Sequence, residues 1–132
     1  MTKTTIRPVS HADIPALIAL QTALLAEQDA PWQSAEDIDR LALRGTGARV
    51  LMARDAAGAA VGYALMLLKS EPAGGQRYDV AHLFVTRGQR SRGIGRALLS
   101  AAQTLSDGEG RIRLTIGTPP QPVANLRLTA VY

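Results

Sequence analysis

Between Tyr78 and Ser106 the chain reads YDVAHLFVTRGQRSRGIGRALLSAAQTLS, a run that leaves little freedom in local fold. Tyr78 to Val85 is apolar with a β-branched and aromatic bias, the pattern of a buried strand. From Ile94 onward, Ile94, Ala97, Leu98, Ala101, Ala102 and Leu105 recur at helical spacing. Between them, Thr86 to Gly95 forms a turn that carries Arg87, Arg90, Arg92, Gly88, Gly93 and Gly95. A strand, a glycine-rich turn and a helix start that meet in this way aim unpaired N–H groups and a positive helix end at one point. That point is a ready anion site. Gly93 and Gly95 have no Cβ, so a ligand can close on the backbone. Arg90, Arg92 and Arg96 add planar donors that match phosphate oxygens. A basic turn capping an ordinary helix is the plainer reading. It accounts less well for three arginines and two spaced glycines on one junction.

The two common phosphate motifs do not fit. No Gly-Lys-Ser/Thr follows the glycines, so there is no Walker lysine. Gly93-Ile94-Gly95-Arg96-Ala97-Leu98 lacks the third glycine of a dinucleotide fingerprint, and no strand ending in an acid stands about 20 positions further on. The stretch resembles instead the acyl-CoA motif of the GNAT superfamily of N-acetyltransferases, Gln/Arg-x-x-Gly-x-Gly/Ala. It stands here as Arg90-Ser91-Arg92-Gly93-Ile94-Gly95, preceded by Leu83-Phe84-Val85 in place of the family's Leu-x-Val strand end. The opening Ile6-Arg7-Pro8, followed by Asp13-Ile14-Pro15-Ala16-Leu17, is also similar to the start of many such domains.

Composition narrows the function classes. At 132 residues the chain is expected to form a single domain over 1–132. Its 46% apolar and 20% charged residues are those of a globular protein. No apolar run approaches the roughly 20 residues that span a bilayer, and MTKTTIRPVS has no apolar signal core. A cytoplasmic address and no membrane partner are therefore expected. The absence of cysteine excludes disulfides, thiolate metal ligands and a cysteine nucleophile. Residues 1–44 hold four basic and six acidic side chains and residues 45–132 hold eleven and five, so the +4 total divides into −2 and +6. Four arginines fall within 87–96, which suits a compact polyanion better than a nucleic-acid backbone. With 4% aromatics, a base-stacking platform is not expected.

Thr4 to Val9 reads as a first strand. A helix then opens near Asp13 with Ser10 or Asp13 as N-cap, and its apolar face runs through Leu17, Leu20, Ala23 or Leu24, and Ala26. Asp29-Ala30-Pro31-Trp32 breaks it, and Trp32 reads as a lid over the core edge ahead of a substrate contact. A short helix follows, with Ser34 and Asp37 as a capping-box variant and Ile38, Leu41 and Ala42 on one face. Val50–Ala53 and Ala60–Leu68 read as strands joined by a hairpin at Asp55–Gly58. Glu71–Gly75 reads as a flexible loop and Ser106–Gly110 as a stop. Ile112, Leu114 and Ile116 alternate as a further strand, and a last helix begins near Val123. By alternation, Asp79 and His82 are expected on opposite faces of their strand.

The resemblance implies an α+β GNAT acyl-CoA N-acyltransferase fold: a central, mostly antiparallel mixed sheet with helices on both faces. In the family two more strands follow the stretch corresponding to Asn125–Tyr132. Against that pattern the C-terminal strands are expected to be missing after Tyr132, whether truncated, unresolved or supplied by a partner, with residues 112–116 as an open edge. It further implies acetyl-CoA as co-substrate, no metal, and an amine of a small molecule or a protein as acceptor, with a homodimer left open. Main-chain groups of Leu83, Phe84 and Val85 would bond the pantetheine arm in a gap between strands. Arg90, Ser91, Arg92, Gly93, Ile94, Gly95 and Arg96 would hold the pyrophosphate. The family's Asn-x-x-Ala-x-x-x-Tyr stretch is matched by Asn125 and Tyr132, with Leu128 in place of the alanine. This makes Tyr132 the candidate general acid and Asn125 a candidate pantetheine contact. The family's strand glutamate is absent, and His82, which titrates in the right range, is the candidate base. A hydrogen-bonded core histidine is the equal alternative. At the level of function, a non-catalytic acyl-CoA-binding domain is the alternative.

Overall fold

The computed structural model describes residues 4–27, 33–110 and 114–116. Strand β1 (Thr5–Pro8) leads through a 3-10 turn at His11–Asp13 into helix α1 (Ile14–Glu27). Helix α2 (Ala35–Ile38) continues as a π turn over Asp39–Leu43, followed by β2 (Ala48–Arg54), β3 (Ala60–Ser70) and β4 (Gln76–Val85). A 3-10 turn at Arg87–Gln89 then precedes α3 (Ile94–Gly108) and β5 (Leu114–Ile116). The strands form one five-stranded sheet in chain order. Pairing is antiparallel from β1 to β4, and β5 lies parallel to β4. This is the mixed, mostly antiparallel sheet that was expected.

Both faces of the sheet are covered, which is why β2 reads VLMA without alternation. Leu51 and Ala53 face α3, in a cluster with Met66, Val80, Leu83, Val85, Ile94, Leu98 and Ala102. Val50 and Met52 face α1 and α2, with Leu17, Leu20, Leu24, Ile38, Tyr63, Leu65 and Phe84. On α1 it is Leu24 that turns inward, and Ala23 and Ala26 are exposed. On α3, Ala97 is exposed and the helix runs past the expected stop at Ser106 to Gly108.

Local bonds set the turns. Ser34 Oγ accepts from Asp37 N–H (3.1 Å) and the Asp37 carboxylate accepts from Ser34 N–H (3.4 Å), the expected capping box. Asp55 Oδ1 accepts from the Ala57 and Ala59 amides (3.0 and 2.9 Å), which closes the β2–β3 hairpin. Glu71–Gly75 is a tight hydrogen-bonded turn rather than a flexible loop: Glu71 N–H donates to Gly75 O and Gly74 N–H to Glu71 O, each at 3.0 Å. Asn125, Tyr132 and Trp32, and the helix expected near Val123, lie outside the described residues.

Candidate functional site

Among the described residues, β5 pairs with the first half of β4 alone. β5 pairs with β4 only at Tyr78↔Leu114, Asp79↔Thr115 and Val80↔Ile116. From Ala81 to Val85, β4 has no strand partner on that side among the described residues. The Thr86 N–H donates to Val61 O of β3 (2.9 Å). By alternation, the main-chain groups of Phe84 also face β3, while those of Leu83 and Val85 face the open side. The side chains of Leu83, Phe84 and Val85 are all in the core, so this stretch presents backbone alone.

The turn after β4 presents backbone as well. Ser91 has φ +65°, a left-handed conformation that costs a residue with a Cβ about 1–3 kcal/mol. Gly93 is the α3 N-cap, with φ 83° and ψ 6°. The first bond of the helix is Ala97 N–H to Gly93 O (2.9 Å). Upstream of it, the N–H groups of Ser91, Arg92, Gly93, Ile94, Gly95 and Arg96 have no acceptor among the described residues, and no side chain caps them. A Cβ on Gly93 would meet no atom within 4 Å, so the glycine answers the positive φ and leaves the backbone bare. Ile94 sends its side chain into the core, which fixes the direction of the helix N-terminus.

The arginines of this turn divide into two kinds. Arg92 and Arg96 are exposed and have no acidic partner among the described residues. Arg90 turns inward and is only 18% exposed. Its Nε donates to Val85 O (2.8 Å), its Nη2 to Glu27 Oε2 (2.5 Å), and its Cζ lies 5.4 Å from the centre of the Phe84 ring. Its guanidinium, read from the sequence as a phosphate donor, is engaged within the protein. Among the described residues, the remaining groups suit a pyrophosphate: a row of amides without acceptors, open space at Gly93, a positive helix end and two guanidiniums without acidic partners.

Register corrects one expectation about β4. Leu65 pairs with His82 and Met66 with Val80, so Ala81 is an extra residue in a β-bulge. The bulge shifts the alternation by one. His82, opposite Leu65, and Asp79, opposite Leu67, therefore share the α1 face. Simple alternation had separated them. Both are buried, Asp79 at 1% and His82 at 0% exposure.

Tyr63, on the neighbouring strand, is the site residue that sequence reasoning missed. Its hydroxyl lies 2.9 Å from His82 Nδ1, with the rings edge-on at 5.8 Å. Nδ1 is the one acceptor this hydroxyl has among the described residues, and a buried O–H must donate. Burial pushes the Tyr63 hydroxyl pKa well up, which keeps it protonated. The hydroxyl can then donate to Nδ1, the arrangement that goes with the tautomer protonated on Nε2. Only the cross-strand register brings Tyr63 to His82, 19 residues apart, so no sequence signal marked the pair.

Among the described residues no cluster of three or more His, Cys, Asp or Glu side chains could hold a metal ion, and no helix is long and apolar enough to cross a membrane. Residues 17–128 match the model of the Acetyltransferase (GNAT) family. A search among curated proteins finds no significant match. Among solved structures, the chain is similar to a ribosomal-protein-alanine N-acetyltransferase from Brucella melitensis biovar Abortus 2308, at 21% identity and TM-score 0.73, over 96% of this chain and 88% of that one. It is also similar to an aminoglycoside acetyltransferase from an uncultured soil metagenomic sample, at 17% identity and TM-score 0.74, over 96% and 85%. An aminoglycoside N-acetyltransferase in complex with CoA aligns at 20% identity and TM-score 0.70, over 97% and 90%.

Proposed function

The chain belongs to the GNAT acetyltransferase family, and on that premise we propose that it transfers an acetyl group from acetyl-CoA to a primary amine of a small molecule or a protein, in the cytoplasm. The observation that carries this reading is the row of amides from Ser91 to Arg96, which have no acceptor among the described residues, one turn beyond the unpaired side of β4 at Leu83 and Val85. Acetyl-CoA would supply an activated thioester, and the amine would displace its thiol. In this reading the Ser91–Arg96 amides, with Arg92 and Arg96, hold the pyrophosphate, and the Leu83 and Val85 backbone aligns the pantetheine arm. An N–H on that edge would bond the carbonyl oxygen as charge develops on it.

Proton traffic is assigned on the same footing. The amine proton goes to His82 and the departing thiolate takes one from Tyr132, with Asn125 a further pantetheine contact. A neutral imidazole with its proton on Nε2 can accept another only at Nδ1. The base role of His82 therefore requires the Tyr63 hydroxyl to rotate off that atom.

A non-catalytic acyl-CoA-binding domain is the second reading, favoured by the burial of Asp79 and His82 on β4. The test is CoA binding by calorimetry, followed by thiol release from acetyl-CoA over a panel of amines. Binding with release supports the transferase, and binding without release on any amine supports the second reading. Gly93→Val should abolish binding, because a branched side chain does not hold φ +83° and would occupy the open space beside the amides. Failure of the wild-type protein to bind CoA overturns both.

A further inference from the structure

We propose that Glu27, the last residue of α1, is a positioning residue that sets the shape of the CoA-binding turn by holding Arg90. The inference rests on the acyl-CoA reading of that turn. Glu27 Oε2 accepts from Arg90 Nη2, and Oε1 accepts from Arg87 Nη2 at 3.3 Å. Arg90 carries the grip onward, because its Nε donates to the carbonyl of Val85, the last residue of β4. One planar guanidinium thus ties the end of α1 to the end of β4, with its Cζ over the Phe84 ring. Immediately beyond Arg90 the chain enters the left-handed Ser91 and the row of free amides.

Charge alone argues against an acid in this place. A carboxylate next to a site for a polyanion weakens binding by repulsion and lowers the local positive potential. Its benefit must come from geometry. Without Glu27 the Arg90 side chain is free to extend towards solvent, and Val85 O loses the donor that ties the end of β4 to the turn. The left-handed Ser91 then loses the anchor on its N-terminal side, and the amides cease to converge. Geometry and charge therefore predict opposite signs.

The experiment is steady-state kinetics with acetyl-CoA and CoA calorimetry on the full chain, with thermal unfolding without ligand as the check on folding. If Glu27 positions the turn, Glu27→Gln raises the KM for acetyl-CoA and the Kd for CoA roughly ten-fold or more, with kcat within about two-fold. Arg87, 80% exposed, touches Glu27 without reaching Val85, so Arg87→Ala leaves KM within about two-fold. If Glu27 acts through charge alone, Glu27→Gln lowers KM and Arg87→Ala raises it, and that pair of results overturns the proposal. Glu27→Asp keeps the charge and shortens the reach, so it should also raise KM. Should Glu27→Gln fail to fold, an unchanged KM in Glu27→Asp overturns the proposal equally. A wild-type protein that neither binds CoA nor releases thiol overturns the acyl-CoA reading itself. Normal wild-type binding with an unchanged Glu27→Gln overturns only the role of Glu27.

Discussion

Glu27 and Tyr63 show how one partner sets the behaviour of a side chain. The hydrogen bond from Arg90, more than any other contact, holds the Glu27 carboxyl pKa below its usual value, with the charges of Arg90 and Arg87 adding to it against partial desolvation. A depressed carboxyl pKa contributes stability that is present above the unfolded value near 4.5 and is lost as pH falls through the folded one. The wild type should therefore be more stable than Glu27→Gln at pH 7, and the gap should close as the pH is taken below about 4. Thermal unfolding of both proteins across that range checks it. Tyr63→Phe removes the hydroxyl that satisfies His82 Nδ1 inside the core and should cost about 1–3 kcal/mol in denaturant unfolding. Nitrogen chemical shifts of His82 should show the proton on Nε2 in the wild type, and a mixture of tautomers in Tyr63→Phe.

The elements meet at positions where main chain approaches main chain. A Cβ on Gly62 would lie 2.7 Å from Phe84 O and 3.4 Å from Val85 Cα, so β3 can lie this close to the end of β4 only with glycine there. Gly62→Ala should lower stability by about 1–3 kcal/mol. It should also raise the KM for acetyl-CoA, because the strand end that must shift carries the open edge. A second tie sits at the far end of α3. Arg49 Nε donates to Glu109 Oε2 (3.1 Å), and the buried Tyr78 hydroxyl donates to Glu109 Oε1 (2.7 Å). Glu109→Ala takes the acceptor from both and should cost about 1–3 kcal/mol in denaturant unfolding with the KM for acetyl-CoA unchanged. Periodicity placed β3, β4 and α3 in the sequence. The Ala81 bulge was not legible, because an extra residue in one strand is defined only against its partner.

Among the described residues, the sheet is sealed on both faces and β4 has no strand partner along half of its outer side. The proposed site therefore consists of backbone rather than of a cluster of reactive side chains. A ligand that binds only the folded form adds stability by mass action, about 2.7 kcal/mol at 100 times its Kd. For a chain of this size, saturating CoA should raise the melting temperature on the order of 10 °C, and Gly93→Val should abolish that rise. The sequence by itself determined the strand, turn and helix from Tyr78 to Ser106 and the β2–β3 hairpin, and it pointed to the turn as the proposed anion site. These rest on apolar period, glycine and charge, which are local properties of a chain. Only the tertiary structure decided that Arg90 faces inward to Glu27, that Asp79 and His82 share a face, and that Tyr63 holds His82. Each of these depends on which residues register and packing bring together from distant parts of the chain, and no local pattern records that.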